Sequence, residues 1–177
     1  MPAAVERGPN VEGSRAAAVL VPLYEVADET GLVLIKRPET MSSHRGEIAF
    51  PGGKFDEGVD GDLRATALRE AHEEVGLPPD HVEVIGRLDT YVTGTGFEIT
   101  PVVGFVRTPY PVKLDPFEVA EAFEVPLSFV VDPTNHQKQS REARGVTRTF
   151  FVLPYGNRYI WGATAGMLVN LAEVLTS

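Results

Sequence analysis

Short apolar runs alternate with longer periodic segments along the chain, which is the pattern of a protein that contains both strands and helices. Residues 16–26 and 32–37 form two apolar runs separated by the polar segment 28–31. This order predicts two buried strands joined by a turn as a hairpin. Further apolar or alternating runs predict strands over residues 82–92, 98–106 and 147–155.

Residues 63–76 have the spacing of an amphipathic helix, because apolar side chains recur every third or fourth position. Asp60 or Asp62 precedes this segment as an N-cap, since a short side-chain oxygen accepts hydrogen bonds from the first free N–H groups of a helix. Gly76 followed by Pro78 predicts where the helix ends.

A second helix is predicted over residues 163–175, although Gly166 lies inside it. Residues 117–131 fit neither pattern along their whole length, and Pro126 limits any helix there. Because strand and helix patterns interleave, the predicted fold class is α/β, with a mixed β-sheet in a single domain.

The composition limits the classes of protein to which the chain can belong. Polar residues 1–13 predict a flexible N-terminal tail, and residues 14–177 predict one domain of ordinary size. The chain has no cysteine, which excludes disulfides, thiol catalysis and cysteine-ligated metals. No segment has the apolar length of a membrane span or the apolar core of a secretory signal, so a cytoplasmic protein is expected.

The charge of the chain bears on its partners. A net charge of −9, from 25 acids and 16 bases, argues against general nucleic-acid binding, which requires a basic surface. A phosphate-bearing substrate would also be repelled unless divalent cations were bound. Several of the acids are grouped in the sequence in a way that suits the binding of such cations.

Glu70, Glu73 and Glu74 fall within an arc of about 100° on the predicted helix. Like charges one turn apart destabilise a helix by about 0.2–0.5 kcal/mol per pair. A group of carboxylates of this kind suits a hard cation such as Mg²⁺. A solvated acidic face is the alternative, but the glycines in residues 50–53 (Phe-Pro-Gly-Gly) let backbone approach a ligand closely and favour the metal site.

These residues resemble the signature of the Nudix family. Residues 69–77 (REAHEEVGL) match its second half, R-E-U-x-E-E-x-G-U, and Gly53 corresponds to its opening glycine. The first half departs from the signature, because Val59 stands where a glutamate is expected. Asp56 and Glu57 are both candidates for the structural role of that glutamate.

A second resemblance is to the coenzyme A diphosphatase branch of the family, and it extends over residues 14–175. Ser42 stands where the upstream motif of that branch has a second arginine, and Arg45 lies nearby as a substitute. The motif positions that match are Leu34, Arg37, Gly46 and residues 50–53.

The resemblance implies a Nudix-type α/β/α sandwich with a mixed β-sheet. It implies that Mg²⁺ or Mn²⁺ is bound by Glu70, Glu73, Glu74 and the carbonyl of Gly53. It also implies that Arg69 orients the preceding loop by a charge-assisted hydrogen bond to a carboxylate.

Outside the signature, Glu118 is a candidate catalytic base or further metal ligand, and Glu98 is the alternative. Either residue could instead be a solvated surface carboxylate without a role in the site. Basic residues that flank the signature would bind substrate phosphates, or else serve only solubility. The candidate substrate-binding residues are Arg37, Arg45, Gly52 and Lys54.

The resemblance implies hydrolysis of coenzyme A or its thioesters to 4′-phosphopantetheine, or its acyl derivative, and adenosine 3′,5′-bisphosphate. A Nudix enzyme that acts on ADP-ribose, dinucleotides or capped RNA ends is the first alternative. A non-catalytic ligand-sensing module is the second, which the intact glutamates disfavour. The expected partner is a small-molecule nucleotide, with neither nucleic acid nor membrane, and a homodimer is compatible with the sequence.

Overall fold

The computed structural model describes residues 13–177, which contain eleven strands, three α-helices and two 3₁₀ turns. The predicted tail over residues 1–13 lies outside the described residues except for Gly13. The strands are β1 (Arg15–Val26), β2 (Glu29–Lys36), β3 (Ile48–Ala49), β4 (Gly52–Lys54), β5 (Val82–Arg87), β6 (Tyr91–Val92), β7 (Phe97–Val106), β8 (Glu121–Pro126), β9 (Gln137–Ala143), β10 (Val146–Tyr155) and β11 (Arg158–Trp161). The helices are α1 (Leu63–Val75), α2 (Leu127–Val131) and α3 (Gly162–Thr176), and the 3₁₀ turns are Pro79–His81 and Pro133–Asn135.

Strand β1 lies at the centre of the main sheet. It pairs in parallel with β7, from Arg15 opposite Phe97 to Leu23 opposite Phe105, and antiparallel with both β2 and β4 on its other edge. The sheet order is β3-β2-β1-β7-β5, with β8 on β2 and β6 on β7. Parallel and antiparallel pairs therefore coexist, which confirms the predicted mixed sheet.

Helices cover both faces of this sheet. Side chains alternate between faces along β1, so Leu20 packs in the core beneath α1 and Val21 packs in the core beneath α3. Both side chains are fully buried. The result is the α/β/α sandwich that the family resemblance implies.

Helix α1 has both of the predicted end signals. The Asp62 carboxylate accepts a hydrogen bond from the Ala65 N–H at 2.8 Å, so Asp62 is the N-cap. Gly76 has φ of 74° and donates its N–H to the His72 carbonyl at 3.0 Å, a conformation that glycine adopts at little cost. The face toward the sheet buries Ala67, Ala71 and Val75.

The first hairpin turns earlier than predicted. Its turn is formed by Ala27 and Asp28, both with positive φ (49° and 67°), and β2 already begins at Glu29. Two residues with positive φ match the right-handed twist of the flanking strands, so a two-residue turn is favoured over the predicted turn 28–31.

The ambiguous segment 117–131 contains both kinds of structure, because Pro126 ends β8 and immediately precedes α2. A second sheet has the order β11-β10-β9, and of its three strands the sequence predicted only β10.

The longest described helix, α3, has 15 residues, and no helix within residues 13–177 is long and apolar enough to cross a membrane.

Gly166 lies where α3 contacts β6, and a Cβ atom there would lie 2.7 Å from Cε2 of Tyr91. We expect Gly166→Ala to lower the free energy of unfolding by about 1–3 kcal/mol, because overpacking against the ring outweighs the gain in helix propensity. In a Tyr91→Ala background the same substitution should instead stabilise by about 0.5–1 kcal/mol. Urea unfolding of wild type, Gly166→Ala, Tyr91→Ala and the double variant measures the effect of the alanine in each background. Destabilisation by Gly166→Ala in both backgrounds would contradict this account.

Candidate active site

Glu74 and Gly52 bring α1 and β4 into direct contact. The Glu74 side chain is almost fully buried, and one carboxylate oxygen accepts a hydrogen bond from the Gly52 N–H at 3.1 Å. Gly52 pairs with Val19, and a Cβ atom on Gly52 would lie 2.4 Å from the Ala18 carbonyl oxygen. Only glycine therefore fits between β1 and the helix while it donates to this carboxylate.

Gly53 has the same relation to Glu70. A Cβ atom on Gly53 would lie 2.5 Å from the Glu70 carboxyl carbon, so this carboxylate lies against bare backbone. Burial raises the pKa of Glu70, although Arg69, which donates from Nη1 at 3.0 Å, opposes that rise. Glu73 differs, because more than half of its side chain is exposed, and its nearest cation is Arg69 Nη1 at 3.5 Å.

The buried carboxylate of Glu74 is electrostatically unfavourable. Burial raises its pKa to about 8, although the hydrogen bond from Gly52 opposes this. The nearby carboxylates of Glu70 and Glu118 raise it further, and the guanidinium of Arg37 lowers it. Glu70 lies one turn away on the same helix, whereas Glu118 and Arg37 lie outside it, and all three charges act on Glu74. Additional positive charge at this site would be stabilising.

The donor chemistry fits a hard divalent cation. Glu70 and Glu74 offer partly or fully desolvated carboxylate oxygens beside bare backbone, which is the oxygen-rich environment that Mg²⁺ and Mn²⁺ prefer. Within residues 13–177 no three acidic or histidine side chains converge as a complete ligand set, and Arg69 contacts both Glu70 and Glu73.

Arg69 forms a bidentate ion pair with Asp60. Its Nε donates to one carboxylate oxygen at 2.8 Å and its Nη2 to the other at 2.9 Å. Nη2 also lies 3.3 Å from the Lys54 carbonyl oxygen. The hydrogen bonds from Arg69 hold the pKa of Asp60 well below its usual value of 3.8, and the Asp60 carboxylate in turn raises the pKa of Arg69.

Asp60 has the structural role that the sequence assigned to Asp56 or Glu57, and both of those assignments are wrong. Its carboxylate also accepts hydrogen bonds from the Asp56 N–H at 3.0 Å and the Thr66 hydroxyl at 2.9 Å. Asp56 and Glu57 have exposed side chains. Of the acids in this loop, Asp56, Glu57, Asp60 and Asp62, only Asp60 is buried, so its carboxylate is the one that lies against Arg69.

Glu118 approaches the glutamates of α1 from the loop that joins β7 to β8. Asp115 in this loop donates its N–H to the Glu74 carbonyl at 3.0 Å, which fixes the loop against the end of α1. Glu118 is exposed, and its carboxylate raises the pKa of both Glu70 and Glu74. Glu98, the alternative, lies on β7 opposite Val92 of β6.

Arg37 directly follows β2, and its N–H donates to the Glu47 carbonyl at 2.9 Å. Its side chain is partly buried and lowers the pKa of Glu74. Among the described residues its Nε is one of two buried side-chain donors without a hydrogen-bond partner. The fold therefore brings a free guanidinium donor toward the acidic site.

The other basic candidates are more peripheral. Arg45 is exposed in the loop before β3. Lys54 is exposed at the end of β4, and its ammonium lies 5.7 Å from the ring centre of Phe97, which Arg15 also covers at 4.2 Å. The sequence had not indicated Arg15, because it lies almost forty residues before Lys54 and only strand pairing brings the two together.

The ion pair at Asp60 generates a stability prediction. Asp60→Asn should lower the free energy of unfolding by about 3 kcal/mol at pH 7, because it removes the bidentate carboxylate partner of a partly buried guanidinium, which then keeps only its contacts with Glu70, Glu73 and the Lys54 carbonyl. Since the folded state lowers the pKa of Asp60, this contribution is present above pH 3.8 and is lost as pH falls through the lower folded value. Chemical unfolding of wild type and mutant across pH measures the difference.

Two variants control this experiment. Asp60→Asn/Arg69→Met removes both charges and should be more stable than Asp60→Asn alone. Glu57→Gln removes an exposed carboxylate from the same loop and should change stability by less than about 0.5 kcal/mol. Equal effects of Asp60→Asn and Glu57→Gln would contradict the assignment of the ion pair.

Comparison with known proteins agrees with this geometry. The family model described as NUDIX domain matches residues 14–146. The uncharacterized Nudix hydrolase NudL of Enterobacter sp. (strain 638) is 41% identical over 163 residues, which cover 92% of this chain and 84% of that protein. The uncharacterized Nudix hydrolase NudL of Cronobacter sakazakii (strain ATCC BAA-894) is 42% identical over 158 residues, which cover 89% of this chain and 81% of that protein.

Solved structures share the fold at lower identity. A Nudix hydrolase from M. smegmatis, RenU, matches with a TM-score of 0.56 and 24% identity over 67% of this chain and 74% of that chain. At this identity the likeness concerns the fold alone. The family match over most of the chain and the close sequence relatives carry the conclusion: this chain belongs to the Nudix family and is a pyrophosphohydrolase.

Proposed function

We propose that this chain hydrolyses the diphosphate of coenzyme A or its thioesters, with Mg²⁺ or Mn²⁺ as cofactor. The products are 4′-phosphopantetheine, or its acyl derivative, and adenosine 3′,5′-bisphosphate. The observation that carries this proposal is Arg37, which matches the coenzyme A branch motif and has a buried donor without a partner beside Glu74. A free guanidinium donor next to a phosphate-hydrolysing site suits an additional substrate phosphate.

The metal would be bound by the carboxylates of Glu70, Glu73 and Glu74 and the carbonyl of Gly53. A divalent cation, when bound there, supplies positive charge to the leaving oxygen and lowers the pKa of water. Arg69 contributes indirectly, because its ion pair with Asp60 fixes the start of the helix that presents these carboxylates.

Hydrolysis adds water across the P–O–P bridge, so that one phosphorus gains a P–O bond and the bridging oxygen leaves with the other phosphate. A base must accept a proton from the attacking water. Glu118 is our candidate, because it is exposed, lies on a separate loop and faces the α1 glutamates closely enough to raise their pKa values.

Basic side chains around the site would recognise the substrate. Arg37 would bind the 3′-phosphate or the diphosphate, since charge-assisted hydrogen bonds from arginine to phosphate are strong and geometrically specific. The exposed side chains of Arg45 and Lys54 would attract the anionic substrate to an otherwise acidic protein. Gly52 would contribute close backbone approach.

The raised pKa of Glu74 predicts that metal binding depends on pH. Because the pKa is about 8 in the metal-free protein, the carboxyl is mostly protonated at pH 6–7 and must release a proton when a cation binds. Apparent Mg²⁺ affinity should therefore rise roughly tenfold per pH unit up to about pH 8 and then level off. Calorimetry in buffers of different ionisation enthalpy measures both the affinity and the protons released.

Two glutamine variants provide the matched comparison. Glu74→Gln should abolish the proton release and lower kcat by orders of magnitude while circular dichroism shows a folded protein. Glu73→Gln removes an exposed carboxylate from the same helix turn, so it should weaken binding and leave the pH dependence intact. Metal affinity that is independent of pH in wild type would contradict the role of Glu74.

The substrate assignment is tested with pairs of closely related compounds. We expect kcat/KM for coenzyme A to exceed that for dephospho-coenzyme A and for ADP-ribose by at least about tenfold, or roughly 1.4 kcal/mol of transition-state binding. Arg37→Ala should shrink this ratio toward one and retain the metal requirement. Arg107→Ala, which removes an exposed arginine just after β7, is the control and should leave the ratio unchanged.

Equal rates on coenzyme A and dephospho-coenzyme A would show that the 3′-phosphate is not recognised. A preference for ADP-ribose, a dinucleotide or a capped RNA end would assign the enzyme to a different substrate within the family. Either result would leave the cation site intact, because the metal requirement is measured separately.

A further inference from the structure

The hairpin of β9 and β10 contains a stretch that is covered on neither face. Every residue from 137 to 149 is exposed, and the strands are joined at Arg144 and Gly145, both with positive φ (53° and 75°). A two-stranded ribbon without a covered face is only marginally stable in water, and further strands or packing normally stabilise it. This ribbon therefore has a surface that a partner would stabilise.

Strand β9 is also an edge of its sheet. Among residues 13–177 it pairs only with β10, so the backbone N–H and C=O groups on its other side have no strand partner there. Such an edge is a template for another strand, and proteins often protect it with charged side chains that would repel a second copy. Whether the charges on β9 repel or attract a second copy depends on the register.

The charges on β9, whose sequence is QKQSREA, are complementary to themselves in one register. When two β9 strands pair antiparallel about a two-fold axis at Ser140, Lys138 lies opposite the partner's Glu142, and this pair occurs twice. Ser140 is the midpoint of the strand, so this register also overlaps all seven residues. Opposite charges directly across an antiparallel pair are stabilising.

Registers centred on the other interior residues of β9 lack this complementarity. Centring the axis on Lys138, Arg141 or Glu142 places like charges directly opposite, and centring it on Gln139 forms no ion pair. In the register centred on Ser140, Gln139 stands opposite the partner's Arg141. The Lys138 ammonium also lies 5.3 Å from the ring centre of Phe151 on β10, which orients this side chain on the face where the ion pair forms.

We propose that β9 pairs antiparallel with β9 of a second copy of this chain, so that two hairpins form a four-stranded sheet in the order β10-β9-β9-β10. The contact is isologous, with Lys138 and Glu142 of each copy paired to the partner's Glu142 and Lys138. A single seven-residue strand buries less area than a standard interface, so the dimer is weak and depends on concentration. This inference goes beyond the proposed function, because it does not depend on the substrate.

Charge reversal on β9 provides the test, by sedimentation velocity of the full chain from micromolar to millimolar concentration. We expect wild type to convert from monomer to dimer over this range. Lys138→Glu and Glu142→Lys each turn two attractive pairs into two repulsive ones, and each should weaken dimerisation at least about tenfold. Both substituted positions are exposed in the monomer, so circular dichroism should show unchanged folding.

Variants with exchanged charges test whether dimerisation depends specifically on the pairs between Lys138 and Glu142. The double variant Lys138→Glu/Glu142→Lys restores opposite charges and should dimerise like wild type. An equal mixture of the two single variants should form a heterodimer, because both pairs across the axis are then of opposite sign. Asp80→Lys makes the same charge change as Glu142→Lys at an exposed site away from β9 and should dimerise like wild type.

Three outcomes would overturn the proposal. One is a wild type that stays monomeric up to about millimolar concentration. Another is dimerisation that neither single reversal weakens. The third is a monomeric wild type in which Lys138→Glu raises KM for substrate, which would assign the ribbon to substrate binding instead of a second copy.

Discussion

The ion pair between Arg69 and Asp60 is the interaction on which the arrangement of the site depends. Arg69 lies on α1 immediately before Glu70, whereas Asp60 belongs to the loop that enters the helix two residues before its N-cap. The same guanidinium contacts the Lys54 carbonyl at the end of β4. One side chain thus joins a helix, a loop and a strand, and the glutamates keep their positions relative to the glycines because these three segments cannot move independently.

Close approach of backbone to carboxylate is the second constraint, and it has a thermodynamic cost. Gly52 and Gly53 lack the side chains that would separate β4 from α1, but glycine loses more conformational freedom on folding than any other residue. Glu74 adds a further cost, because burial and two neighbouring acids raise its pKa. Unfavourable electrostatics of this kind are concentrated at functional sites, where a ligand relieves them.

Local patterns predicted the parts of the molecule in which neighbours in sequence are neighbours in space. The period, N-cap and final glycine of α1 are all local, and its three glutamates could be assigned to one side from helix geometry alone. The partner of Arg69 was missed because the loop contains several acids, and only the folded loop shows that Asp60 is the one buried against Arg69 and Thr66. Strand β9 was missed because an exposed polar strand lacks the alternation that marks a half-buried one, and β11 was missed because it has only four residues. The contact of Gly166 with Tyr91 is likewise invisible until β6 is packed on α3.

The parallel pairing of β1 with β7 has a consequence for the order of folding. Arg15 pairs with Phe97, so one side of the central strand must wait for a segment about eighty residues later in the chain. The hairpin of β1 and β2 can form within microseconds, but at ribosomal speeds β7 follows only after roughly 5–15 s. During that interval the nascent chain has an open, largely apolar strand edge at Leu20 and Val21. High contact order slows folding, so this edge is the surface where chaperone binding and aggregation compete with completion of the sheet.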